Sequence, residues 1–201
     1  MEFIKNYINE TASIVNQVDA RQISAVINVL ASIKEKKGRL FFVGVGGGAG
    51  HASHAVNDFR KIAGIESYSV SDNVSELTAR INDEGWDTCY SEWLKTSACN
   101  ERDGIFVFSV GGGNIPKRLS VNIVRALEYG KSRGCKVIGI IGRDDGYTAE
   151  IADAYVLVPK VNSCHLTAHT EAFQAVIWHL IISHPKLMAY SMKWESTEGK
   201  G

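Results

Sequence analysis

The stretch Arg39-Leu-Phe-Phe-Val-Gly-Val-Gly-Gly-Gly-Ala-Gly50 decides the fold: an apolar, β-forming run that ends in glycines. Its apolar residues do not alternate with polar ones, which is the pattern of a strand covered on both faces. The glycines let bare backbone approach a ligand, and the amides of a helix starting there favour an anion. Ile105-Phe-Val-Phe-Ser-Val-Gly-Gly-Gly-Asn114 repeats the arrangement. Two such turns in one chain point to a phosphosugar or nucleotide site.

Outward from these turns, strands are predicted at 40–45, 67–71, 105–110, 137–141 and 154–158. Helices are predicted over 49–62, 74–81, 86–98, 119–133 and 170–183. Ahead of them, Ile4, Ile8, Ile14 and Val15 mark one helix, and Ile23, Val26, Ile27, Leu30 and Ile33 a second. Asp19 or Ala20 starts the second, and Lys34-Glu-Lys-Lys-Gly38 ends it with cations and a glycine. Alternating strands and helices predict an α/β chain, a three-layer α/β/α sandwich on a five-stranded parallel sheet. Ligands of such sheets bind at the carboxyl ends of strands, where both glycine turns lie.

The 201 residues suffice for a single domain with a full core. Its expected parts are N-terminal helices (1–37) packed for oligomerisation, an α/β core (38–187) and a polar tail (188–201) that frays over 195–201. The 22 basic residues balance the 22 acidic ones, so there is no electrostatic case for nucleic acid or an anionic membrane. No apolar stretch is long enough to span a bilayer, and the N-terminus lacks a signal-peptide pattern. Cys89, Cys99, Cys135 and Cys164 form no CxxC and read as reduced thiols of a cytoplasmic chain. A dinucleotide fingerprint is rejected: after Gly44 and Gly46 the third glycine falls at Gly50, one residue late, and Glu66 precedes a strand instead of ending one.

His54 and Asp58 lie four apart on a predicted helix and share a face. They can hold one zinc ion, transfer protons, or make a plain surface hydrogen bond. Glu171 and His179, eight apart, are separated by roughly 12 Å along a helix, so a helix alone does not bring them together. Gln174 is an alternative amide ligand; Glu171 also reads as a first-turn acid, and His179 as a packed core histidine. Asp83 reads as a substrate-hydroxyl or relay carboxylate, or as turn chemistry. Ser71-Asp72-Asn73 either contacts sugar or caps the next helix. His51 lies close to the first turn, and His165 and His169 read as loop histidines.

Four segments in order carry a resemblance: Gly44-Val-Gly-Gly-Gly-Ala-Gly-His-Ala-Ser-His54-Ala-Val-Asn-Asp58, Leu77-Thr-Ala-Arg-Ile-Asn-Asp83-Glu-Gly-Trp, Phe108-Ser-Val-Gly-Gly-Gly-Asn114, and the Glu171/His179 spacing. Together they make the core resemble the sugar isomerase (SIS) domain and, within it, the phosphoheptose isomerases. The resemblance implies interconversion of sedoheptulose 7-phosphate and glycero-manno-heptose 7-phosphate, feeding nucleotide-heptose for a surface polysaccharide. It implies a homotetramer with sites between subunits and zinc held at His54, Asp58, Glu171 and His179. Asp58 and His179 are expected to move protons through an enediol(ate), with Asp83 assisting. Gly46, Gly47, Gly48, Ser109, Gly111, Gly112 and Asn114 would bind the phosphate, with His51, Asp72 and Glu171 near the sugar.

This sequence departs from the family's Gly-Asn-Gly-Gly-Ser and Ser-Thr-Ser-Gly-Asn-Ser loops. Hydroxyls are missing at Gly48, Val110, Gly111 and Asn114, Val45 replaces an Asn, Asp58 replaces a Glu, and Glu171 replaces a Gln. Each lost charge-assisted hydroxyl contact would weaken phosphate binding by about 1.5–3 kcal/mol, offset in part by backbone amides and by Lys117 or Arg118. Two other functions therefore compete: an isomerase of a different phosphosugar, and a non-catalytic SIS tetramer that binds a partner.

Overall fold

A computed structural model describes residues 1–193; the frayed tail expected at 195–201 lies outside them. The helices are α1 (Glu2–Gln17), α2 (Ala20–Glu35), α3 (Gly47–Asp58), α4 (Val74–Glu84), α5 (Cys89–Thr96), α6 (Val121–Ser132), α7 (Tyr147–Ile151) and α8 (Leu166–Ser183). The strands are β1 (Leu40–Gly44), β2 (Ser67–Ser69), β3 (Gly104–Ser109), β4 (Lys136–Ile141) and β5 (Ala154–Leu157). All pairings are parallel, in the order β2-β1-β3-β4-β5. The five predicted strands and the three layers are thus present.

The central strands alternate between two cores because successive side chains of a strand point to opposite faces. Phe42, Phe106, Phe108, Ile138 and Ile140 meet α2, α3 and α8. Phe41, Val43, Ile105, Val107 and Val137 meet α5 and α6. Both faces being apolar, β1 and β3 are buried at every position. The strand order reverses between β1 and β3, so both glycine turns open onto the topological switch point.

The N-terminal helices divide the work expected of them. Asp19 caps α2 by accepting the Arg21 amide at 2.8 Å. α2 is spent on the chain's own core, burying Ile23, Val26, Ile27, Leu30, Ala31 and Ile33. α1 buries Ile14 alone and leaves Phe3, Ile4, Ile8 and Val15 exposed.

Three local features escaped the sequence reading. The helix predicted over 49–62 changes to a π-helical turn at Phe59–Ala63, immediately after Asp58. α7 is too short to carry a periodic signal. A 3₁₀ turn, Ser163–His165, runs straight into α8. Cys89, Cys99 and Cys135 are buried and Cys164 is exposed, all unpaired. Among the described residues, no helix is long and apolar enough to cross a membrane.

Candidate active site

The first glycine turn exists to bring α3 onto the sheet. Gly46 has φ 59° and begins the helix, a conformation that costs a side-chain-bearing residue energy. A Cβ at Gly48 would collide with the Phe108 carbonyl oxygen of β3. α3 thereby lies against the sheet beside α8, and the side turned to α8 carries His51, His54 and Asp58.

His54, Asp58 and His179 converge where α3 meets the second half of α8. Their ligand atoms all lie within 4.8 Å of one another. Asp58 Oδ2 is 3.6 Å from His54 Nε2 and 3.4 Å from His179 Nε2. Buried Trp178 donates its indole N–H to the same oxygen at 3.1 Å, and Asn57 Nδ2 donates to Oδ1 at 3.0 Å. Asp58 is thus a buried carboxylate aimed by two donors at two half-exposed imidazoles.

His179 Nδ1 lies 2.7 Å from the Ala175 carbonyl oxygen. A carbonyl only accepts, so Nδ1 carries the proton and the Nε2 lone pair faces Asp58. A lone pair facing a carboxylate calls for a cation or a proton between them. Tetrahedral zinc ligands at 2.0–2.2 Å lie about 3.3 Å apart, close to the spacing found here. The donor set and the Ala175 and Trp178 hydrogen bonds behind it therefore fit a divalent metal. His179 is half-exposed and is no core histidine.

Glu171 does not join this group. Its carboxylate lies against Gly47, where any Cβ would collide with it. It sits at the amino end of α3, the position expected for a ligand anion, and complements that helix dipole itself. The alternative ligand Gln174 is buried on the sheet-facing side of α8 and donates to the Ile140 carbonyl at 3.3 Å. His51 packs at a tilt against Trp178, with ring centroids 5.2 Å apart. Burial pushes its pKa down, against the pull of Glu171, and favours the neutral ring.

The second glycine turn forms a separate cleft of about 320 Å³, bounded by Gly111, Gly113, Lys117, Ser120, Arg143 and Leu166. Ser109 Oγ accepts the Gly112 amide at 3.0 Å and so shapes the turn instead of facing outward. Asn114 and Leu119 exchange backbone hydrogen bonds at 2.8 and 2.9 Å, closing a five-residue excursion, 115–119. Ser120, the residue after this pairing, lines the cleft and brings a hydroxyl residue to it from beyond the glycine turn. Sequence reasoning missed it; Pro116, which resists the start of a helix interior, was the available signal.

The remaining predicted residues stand apart. Asp83 is exposed at the end of α4 and accepts from Asn82 Nδ2 at 2.8 Å. Asp72 pairs with Ser53 Oγ near the sheet edge. Asn73 caps α4, accepting the Ser75 amide at 3.1 Å. His169, read as a loop histidine, is buried on α8, and His165 immediately precedes that helix.

Comparison with known proteins agrees with this architecture. The SIS domain family matches residues 5–142. A phosphoheptose isomerase of Chlorobium limicola is 30% identical over 190 residues, 86% of this chain and 81% of that protein. A lincomycin biosynthesis protein of Streptomyces lincolnensis is 25% identical over 90% of this chain and 68% of its own length. The solved phosphoheptose isomerase of Neisseria gonorrhoeae superposes with a TM-score of 0.77 at 20% identity, covering 90% of this chain and 96% of that one. The parallel sheet, the paired glycine turns and these matches together make the chain a member of the SIS domain family, among the phosphoheptose isomerases.

Proposed function

We propose that the chain is an aldose–ketose isomerase that converts sedoheptulose 7-phosphate to glycero-manno-heptose 7-phosphate. The observation that carries this is the meeting of Asp58 and His179, 3.4 Å apart, from helices distant in sequence. Isomerisation needs one group to move a proton between carbons and another to move one between oxygens. Asp58 removes the proton from C1 of the ketose while protonated His179 gives one to O2, forming the enediol. Asp58 then returns its proton to C2 as His179 recovers one from O1, which leaves the aldose. While His179 carries the proton, His54 and Asp58 would hold zinc, which would supply positive charge for the oxygens of the enediolate. His179 Nε2 has a single lone pair, so it holds a metal or carries a proton, not both at once.

The phosphate-binding cleft and the proton-transfer cluster are far apart within a single chain. Leu166 lines the cleft, and His179 lies about 20 Å further along α8. An extended seven-carbon sugar phosphate spans roughly 9 Å. The cluster is half-open to solvent and flanked by exposed Val176 and Leu180. These features support a homotetramer in which the cleft of one subunit serves the cluster of another. The balanced charge and unpaired thiols support a cytoplasmic enzyme.

The test is an NMR assay of sedoheptulose 7-phosphate in deuterated buffer. Deuterium appearing at C2 of an aldose product is expected. Absence of both product and exchange, with and without added zinc, would leave the non-catalytic binding module. A second reading, another ketose phosphate as substrate, is favoured by the excursion 115–119, which sets Lys117 beside a turn poor in hydroxyls. A panel of ketose phosphates separates the two by kcat/KM.

A further inference from the structure

A second group of metal-ligating side chains lies outside the catalytic cluster, where α1 crosses the start of α8. Glu10 Oε2 is 2.8 Å from His165 Nδ1 and 2.8 Å from His169 Nε2. All three ligand atoms lie within 4.8 Å of one another. His165 and His169 are four apart, one turn of helix, so both imidazoles reach the same side. The arrangement is held from behind. Asn162 Nδ2 donates to Glu10 Oε1 at 2.7 Å, which turns Oε2 toward the imidazoles. The amide of Cys164 donates to Asn162 Oδ1 at 2.9 Å and fixes which way that side chain faces.

The surroundings suit a bound cation. Tyr7 covers the His169 and His165 rings at centroid distances of 4.5 and 5.3 Å, and Phe3 meets His165 at 5.7 Å. The His169 side chain is only 4% exposed, against 18% for Glu10 and 25% for His165, so the cluster is shielded on the α8 side and reaches water on the other. Low local dielectric strengthens attraction between a carboxylate and a cation. Two imidazoles and one carboxylate are a zinc donor set with a fourth position open to water. Ligand atoms now 2.8 Å apart need to open by about half an ångström to reach tetrahedral spacing, a shift the Glu10 side chain can supply. The place matters because α1 buries only Ile14.

We infer that Glu10, His165 and His169 form a second divalent-cation site that clasps α1 to the start of α8. The inference does not depend on the isomerase reading. The test is zinc content by mass spectrometry after loading and exhaustive dialysis. Two zinc ions per chain are expected in the unaltered protein. One is expected in the double variant His165→Gln, His169→Gln, and one in His54→Ala, His179→Ala. Zinc content unchanged by the His165/His169 pair of substitutions would overturn the second site. Zinc lost only with that pair would leave the second site standing and remove the metal from the catalytic cluster.

A further measurement guards against misfolding of the first variant. In the His54→Ala, His179→Ala protein, zinc should raise Tm, and adding Glu10→Gln should abolish that rise while circular dichroism stays unchanged. No zinc-dependent rise in the parent double variant would sink the clasp.

Discussion

In the proposed mechanism Asp58 is the residue on which the chemistry turns, and its position is fixed from both sides by Trp178 and Asn57. Asp58→Asn keeps the shape and removes the base; isomerisation is expected to fall by about 10²–10⁴-fold with the fold intact, read from progress curves and circular dichroism. Trp178→Phe removes one aiming hydrogen bond and should lower kcat more than it changes KM. Gly48 tests the turn: Gly48→Ala drives a methyl into the Phe108 carbonyl and should cost about 1–3 kcal/mol in urea denaturation. At this scale the His54–Asp58 pair was legible because helical spacing is local. Trp178 was not, since its hydrogen bond to Asp58 joins residues 120 apart in sequence.

At the scale of elements, strand starts are held by carboxylates. Asp103, just before β3, is almost fully buried and accepts from Arg39 Nη2 at 2.7 Å and from the Arg39 amide at 2.8 Å. Asp103→Ala leaves a guanidinium that is a quarter exposed with only the Ser97 and Ala98 carbonyls and should cost about 3 kcal/mol of stability, the low end for a broken buried pair. Asp153 performs the same task before β5, accepting from Lys136 Nζ and the Val137 amide, each at 2.8 Å. Burial works against its ionisation, but Lys136, the Val137 amide and Lys131 outweigh it and lower its pKa. A carboxyl depressed in the folded state contributes stability above its unfolded pKa and loses it as pH falls through the folded value. Asp153→Asn should therefore flatten the loss of stability below about pH 4, measured by thermal melts across pH. β1, β3 and β4 were readable because a doubly covered strand is a continuous apolar run, whereas β2 and β5 alternate in burial. The return of the chain to Ser120 was not, because the excursion 115–119 is closed by a backbone pairing that leaves no side-chain pattern.

For the whole molecule, the separation of cleft and cluster along α8 makes a prediction about assembly. Asp58→Asn and the paired Lys117→Ala, Ser120→Ala should each be nearly inactive as pure proteins. Mixed and reassembled, they should regain roughly a quarter of the unaltered rate if each site draws on two subunits. No recovery, despite mixed oligomers seen by native mass spectrometry, would place the whole site within one chain. The exposed Phe3, Ile4, Ile8 and Val15 on α1 are the apolar surface available for such assembly.

The sequence by itself determined the sheet, the two glycine turns and the His54–Asp58 pair, because these depend on periodicity, backbone freedom and neighbours within one helical turn. Only the tertiary structure decided which distant groups meet. It set His179 and Trp178 on Asp58, turned Glu171 onto Gly47, and joined Glu10 to two histidines read as loop residues. Those meetings follow from how helices pack across a sheet, a geometry fixed by the shape of the whole core and written in no single segment.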